Sequence, residues 1–233
     1  TGKSALKVKL HHLKPDINIL KEIFAIGLSA FANQMAGSVV GVVLNNSLKI
    51  YGTNLDIAIL GTVNKITMFL YMPLFGIVHG MQPIVGFNYG AKKMDRVKET
   101  IKLSLIGTTF MAVCGFLFSQ IFASLIMSAF SKDTQFIQNG ASIMKIVVFM
   151  VPVIGIQVVG ATLFQCIGKA IPSLILSLLR QVLLLIPLVI ILPKYIGIAG
   201  IWKSFPIADL GSTIFTATLM INEMKKITAQ QEE

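Results

Sequence analysis

Six apolar stretches occupy most of this chain, at residues 23–50, 54–81, 103–130, 140–166, 171–192 and 198–222. Each reaches the roughly 20 residues that an α-helix needs to cross a hydrocarbon core about 30 Å thick. Inside a bilayer no water is available to backbone N–H and C=O groups, so a spanning segment must satisfy them itself. Runs this long, unbroken by charge clusters, predict helices rather than strands. The expected fold is an all-α membrane protein with six transmembrane helices. A cytoplasmic lead-in at 1–22 precedes them and a cytoplasmic tail at 223–233 follows.

Composition agrees with segment length. The hydrophobic fraction is 55%, the charged fraction 13% and the mean hydropathy +0.79, outside the range of water-soluble globular domains. The net charge of +10 would suggest nucleic acid in a soluble protein. Here its placement matters more. Threading six helices puts Lys3, Lys7, Lys9, Lys14, Lys21, Lys92, Lys93, Arg96, Lys98, Lys102, Lys169, Lys225 and Lys226 on one face, against Lys49, Lys132, Lys194 and Lys203 on the other. That asymmetry is the positive-inside signal, and it predicts cytoplasmic termini, a bilayer as surroundings and no nucleic-acid partner.

Cys114 and Cys166 fall inside predicted spans, where a thiol packs as a small apolar group, and no disulfide or metal site is indicated. His11 and His12 lie in the lead-in without a second ligand cluster. No nucleophile elbow, HExxH or P-loop is present, so neither an enzyme nor a resident cofactor is expected. The chain begins at Thr1, and its basic first twenty residues are not a signal sequence, which suggests that an upstream part is missing.

Lys14-Pro15-Asp16 predicts a turn and a helix start. Short turns are expected at Gly52-Thr53-Asn54, Ser131-Lys132-Asp133 and Lys194-Tyr195-Ile196-Gly197, and a longer internal loop from Gly86 to Asp95. An amphipathic approach then leads from Asp95 to Lys102. Pro73, Pro83, Pro152, Pro187 and Pro206 lie in or at the ends of spans and predict bends.

Polar residues recur at helical spacing inside the spans. Gln34, Ser38, Gly41 and Asn45 form one face of the first, broadened by Asn33 and Asn46. Such a face should avoid lipid, by lining a cavity or by packing closely on a neighbouring helix. The second span carries Asn64, Met68, Tyr71 and Phe75 on a stripe that suits lipophilic cations or plain packing, with Lys65 and His79 nearby. The fourth offers Gln157, Ala161, Phe164, Gln165 and Gly168, and the sixth offers Asp209, Ser212, Thr213 and Thr216.

Asp209 is the one carboxylate deep in a span, and its expected partner is Arg180. Both lie about nine residues into their spans from opposite sides, which at about 1.5 Å per residue brings each near the midplane. Buried charges at this depth are costly and mark either a proton-sensitive or substrate-sensitive pair or a structural ion pair joining the last two helices.

The run Gly80-Met81-Gln82-Pro83-Ile84-Val85-Gly86-Phe87-Asn88-Tyr89-Gly90-Ala91 resembles a loop of the MATE multidrug and toxic compound extrusion family. Further segments agree in order: Gly27–Gln34, Leu44-Asn45-Asn46-Ser47-Leu48, Leu179-Arg180-Gln181 with Ile186-Pro187-Leu188, and Gly200-Ile201-Trp202 with Pro206-Ile207-Ala208-Asp209. The resemblance implies a twelve-helix exporter of two six-helix lobes, of which this chain is the C-terminal one. The N-terminal lobe would be its partner. Such transporters exchange drugs and organic cations for Na⁺ or H⁺ by alternating access, without nucleotide hydrolysis.

One departure limits the carry-over. Sodium-coupled relatives that bind the ion in this lobe carry a Glu in the first span and a D-x-x-Q arrangement in the fourth. Here the first position falls at or near Gln34 and the second reads Ile154-Gly155-Ile156-Gln157. The coupling site for H⁺ or Na⁺ is then expected in the N-terminal lobe, unless Asp209 serves. The candidate positions are Asn33, Gln34, Asn64, Tyr71, Gln157 and Gln165 for the cavity, with Arg180 and Asp209 for coupling. The rival readings are a lipid-linked oligosaccharide flippase of related fold and a non-transporting membrane scaffold. A bacterial inner membrane is the expected location.

Overall fold

A computed structural model of the chain describes residues 17–232, every element of it helical. The expected Lys14-Pro15-Asp16 turn, His11 and His12 lie outside the described residues. Helix α1 covers Ile17–Tyr51, α2 Asn54–Gly90, α3 Met94–Ile121, α4 Ala123–Ser128, α5 Thr134–Val147, α6 Val151–Cys166, α7 Ala170–Leu178, α8 Ile186–Ile196 and α9 Ile198–Glu232. A π-helical segment, Leu179–Leu185, joins α7 to α8.

Among the described residues four helical stretches are long and apolar enough to cross a membrane: Asn54–Gly90, Met94–Ile121, Ile171–Ile196 and Ile198–Ile227. A fifth is added if α5 and α6, bent by 48° at their junction, count as one span. The break falls where Pro152 opens α6, a position at which proline has no helical N–H to lose.

Local chemistry sets several ends. Thr53 caps α2 in a capping box, with its backbone N–H and its hydroxyl both donating to the Asp56 carboxylate at 2.9 and 2.7 Å. Asp133 caps α5 by accepting from the Gln135 backbone N–H at 2.8 Å.

Two expected loops are shorter than the sequence suggests. The Gly86–Asp95 segment is helical up to Gly90, leaving a turn at 91–93 in which Lys92 sits at φ 56°. The reason is packing: Val85 and Asn88 are buried, and the Asn88 side chain donates to the Ile84 carbonyl at 2.8 Å. The Lys194–Gly197 turn contracts to Gly197 alone, at φ 61°, a conformation glycine adopts without steric cost. Cys114, expected to pack, is exposed on α3.

Helices α2 and α3 form a tight antiparallel hairpin. A Cβ added at Gly107 would meet the Ile77 side chain at 3.4 Å, and one at Gly115 would meet Leu70 at 3.0 Å. The buried side chains form two apolar clusters. One gathers Leu48, Ile59, Val63, Met144, Val151, Ile201 and Trp202; the other gathers Val78, Met81, Val85, Ile101, Leu163 and Met220. Between them lie buried polar groups of α3, α6 and α9: Thr108, Gln157, Asp209, Ser212, Thr213 and Thr216.

Glycine permits the α3–α6 approach in this layer. A Cβ at Gly155 would lie 2.7 Å from Thr108 Oγ1, whose hydroxyl already donates to the Ser104 carbonyl at 2.7 Å. Gly155→Ala is therefore expected to cost about 1–3 kcal/mol by overpacking, read as a lower unfolding midpoint in detergent. Adding Thr108→Ala, which removes the nearest atom, is expected to recover part of the loss.

Candidate functional site

Arg180 enters the layer from the π segment and Asp209 from α9. Arg180 Nε donates to Asp209 Oδ1, and the side chains are 23% and 1% exposed, so the carboxylate is shut away while the guanidinium reaches open space. Arg180 Nη2 donates to the Tyr71 hydroxyl at 3.3 Å, and the guanidinium carbon lies 5.8 Å from the Tyr71 ring centroid. Tyr71 is packed edge-on against Phe75 at 6.4 Å and 83°. Hydrogen bonds and ring contact together hold the cation in place more tightly than either alone.

The carboxylate's own helix is braced from α6. The Gln157 amide donates to the Asp209 carbonyl at 2.8 Å and to Thr213 Oγ1 at 2.7 Å, while Thr213 donates to the same carbonyl at 2.7 Å. Ser212 and Thr216 turn back onto carbonyls of α9 at 3.3 and 2.8 Å. Asp209 Oδ2 and Gln181 Oε1 are buried without a hydrogen-bond partner among the described residues. An unpartnered acceptor at such depth is costly.

On the far side of the guanidinium lies a cavity of about 310 Å³. Its wall combines the α2 stripe of Asn64, Met68, Tyr71 and Phe75 with Arg180 and Gln181, and α1 contributes Gly37 and Gly41. The π segment is why two consecutive residues share this wall. Hydrogen bonds from i to i+5 turn the chain less per residue than an α-helix, so Arg180 and Gln181 both face inward.

The remaining candidates scatter. Gln34 is exposed on α1, where its backbone carbonyl accepts from Ser38 at 3.4 Å; Ser38, Asn45 and Asn46 share that exposure. The Asn33 side chain lies outside the described residues. Gln165 stands apart from the cavity at the end of α6, accepting from Gln82 at 3.5 Å, and Gln82 lies 3.3 Å from His79 Nδ1. Among the described residues no group of three or more His, Cys, Asp or Glu could hold a metal ion. Thr67, Gln181 and Phe205 also line the cavity and carried no signal beyond being polar or aromatic in an apolar run.

Comparison with known proteins decides the family. The MatE family profile matches residues 29–191, well over half the sequence. This chain belongs to the MatE family. The MatE chain is 26% identical over 227 residues to the multidrug export protein MepA of Staphylococcus haemolyticus, covering 97% of itself and 49% of that protein. With the Staphylococcus aureus protein of the same name it shares 27% over 206 residues, covering 88% of itself and 45% of the relative. Its fold is similar to a crystal structure of MATE in the bent conformation, with a TM-score of 0.89, 19% identity and coverage of 99% of this chain and 51% of that one. The MatE chain thus spans about half the length of the relatives it matches. Family and apolar helices together make it a multi-pass membrane protein of the MatE family.

Proposed function

We propose that this chain is the C-terminal six-helix lobe, residues 23–222, of a two-lobed antiporter that exports drugs and organic cations in exchange for H⁺ or Na⁺. The observation that carries the reading is the Arg180–Asp209 pair, buried in a polar layer and open on one side to a cavity, in a chain half the length of named multidrug exporters. In this reading α1 is the first span, and its exposed Gln34, Ser38 and Asn45 meet the other lobe or a water-filled cleft between the two. The sites lie near the midplane, where lobes that rock against each other give alternating access. The basic residues Lys92, Lys93, Arg96 and Lys102, with Lys225 and Lys226, support a topology with both ends of the chain cytoplasmic, in a membrane this reading takes to be a bacterial inner membrane.

Asp209 is this lobe's candidate coupling acid, and the N-terminal lobe is the other place for one. The full-length transporter with Asp209→Asn, expressed in an efflux-deficient host, tests the assignment. Ethidium efflux is expected to fall several-fold with membrane abundance unchanged. Wild-type efflux in that variant would reduce Asp209 to a structural residue. Apolar replacement of Ser38 and Asn45 separates a transporter from a scaffold, because a scaffold would tolerate it.

A further inference from the structure

A second ion pair lies at the other end of the segments that carry the first. Lys169 Nζ donates to Glu223 Oε1 at 2.5 Å, with side chains 39% and 8% exposed. Exposed ion pairs are screened and contribute little. This one differs, because the Glu223 carboxylate is buried and Lys169 is the one cation it pairs with among the described residues. Lys169 stands at the head of α7, which runs straight into the π segment and Arg180. Glu223 lies about four turns beyond Asp209 on α9. One stretch of chain thus supplies both cations, and α9 supplies both acids.

The two ends of α7 are unequally held. At its head, Gly168 turns the chain at φ 75°, the Lys169 N–H donates to the Phe164 carbonyl at 2.9 Å, and the Ser173 hydroxyl donates to the Ala161 carbonyl at 3.1 Å. Those bonds tie α7 to α6. Helix α7 itself packs on α6 and α1 and hardly touches α9, so the Lys169–Glu223 bond is its tie to the helix of Asp209. At the other end, the π segment buries only Leu185, and its own packing does not fix its geometry. A π turn holds one residue more than an α turn, and relaxing it to α geometry rotates the chain on one side by about 100°. Arg180 sits at the α7 end of the segment, so it would rotate with α7 and away from Asp209.

We propose that Lys169 and Glu223 are positioning residues for the Arg180–Asp209 pair: their ion pair anchors α7 to α9 and so holds the π register that aims Arg180 at Asp209. The inference rests on the export reading of that inner pair and adds the two residues on which its geometry depends. Breaking the outer pair lets the π segment relax and the inner pair open, although neither inner residue is altered.

Hydrogen exchange in the purified full-length transporter tests the anchor. Glu223→Gln keeps the shape and removes the charge, and the released Lys169 can turn to water. The Leu179–Leu185 amides are expected to exchange about tenfold faster in this variant, as loss of one charge-assisted contact allows, while the α2–α3 hairpin exchanges as before. Lys169→Gln breaks the pair from its half-exposed side and should give the same pattern. Lys169→Arg keeps an ion pair and should keep wild-type exchange. In proteoliposomes, ethidium efflux should fall several-fold in Glu223→Gln, and adding Glu223→Gln to Arg180→Lys should lower it no further, because both act at one contact. Independent sites would multiply their losses.

Unchanged exchange in the π segment, faster exchange confined to 164–173, or faster exchange in every helix overturns the proposal, and so do efflux losses that multiply. The export reading fails separately. If the π segment opens in Glu223→Gln while ethidium efflux stays at the wild-type rate, the anchor stands and the inner pair has no part in export.

Discussion

Arg180→Ala in the full-length transporter is expected to cost about 3–5 kcal/mol of stability, the cost of breaking a buried pair by removing one partner. The direction follows from burial. Asp209 is 1% exposed, and among the described residues its carboxylate pairs with no cation other than Arg180, so without Arg180 it is left buried and uncompensated. Asp209→Ala should cost less, because the guanidinium is 23% exposed and already reaches the cavity. Thermal unfolding in detergent reads both. The double variant Arg180→Met with Asp209→Leu removes both charges and fills their volume, so it is expected to recover most of the stability, as apolar replacements of buried pairs often do. It should not recover export. If it does, the pair serves packing alone. Exchanging the two residues is expected to restore activity lost in either single variant. No restoration would show that the bracing around each group, by Gln157 and Thr213 on one side and Tyr71 on the other, matters more than the opposite charges.

The parts of this arrangement that were readable in advance are those where burial is unaffordable without a reason. An Arg and an Asp inside apolar runs stand out because lipid penalises them, and matching depths suffice to pair them. The stripe of Asn64, Met68, Tyr71 and Phe75 follows from the 3.6-residue period, and all four residues line one cavity. What stayed hidden depends on neighbours distant in sequence. Gln165 looks as polar as Gln157, yet Gln157 is buried against α9 and Gln165 is exposed beside Gln82. Both are amides on one helix, and only the packing of α2 and α9 around α6 separates them. Glycines at 86 and 90 argue for a loop by local propensity, and burial of Val85 and Asn88 overrides it. The π segment has no clear signature at all. Pro187 follows it, but proline at the start of a helix is common, and nothing in Leu179–Leu185 announces the i to i+5 bonds that turn Gln181 toward the cavity.

Gly200→Ala should have the largest effect of any glycine replacement away from the charged pair. Helices α8 and α9 meet at Gly197 alone, and the Gly200 N–H donates back to the Gly197 carbonyl at 2.9 Å. A Cβ at Gly200 would lie 2.6 Å from the Leu192 carbonyl carbon, 2.7 Å from the Pro193 nitrogen and 2.8 Å from the Leu192 oxygen. All three are backbone atoms, so no rotamer change can relieve the clash and the start of α9 must move away from α8. Ile201 and Trp202 follow at once and are fully or nearly fully buried, Phe205 walls the cavity one turn on, and Asp209 lies a further turn along the same helix. A shift at Gly200 is therefore carried to the ion pair by a continuous helix. The expected loss is about 3 kcal/mol or more in stability, together with a fall in ethidium efflux. Gly61→Ala is the matched control: it lies exposed in α2, a Cβ there meets nothing within 4 Å, and alanine should stabilise the helix by up to about 1 kcal/mol. If the two variants unfold at the same temperature, close contact at the α8–α9 corner is not what positions Asp209.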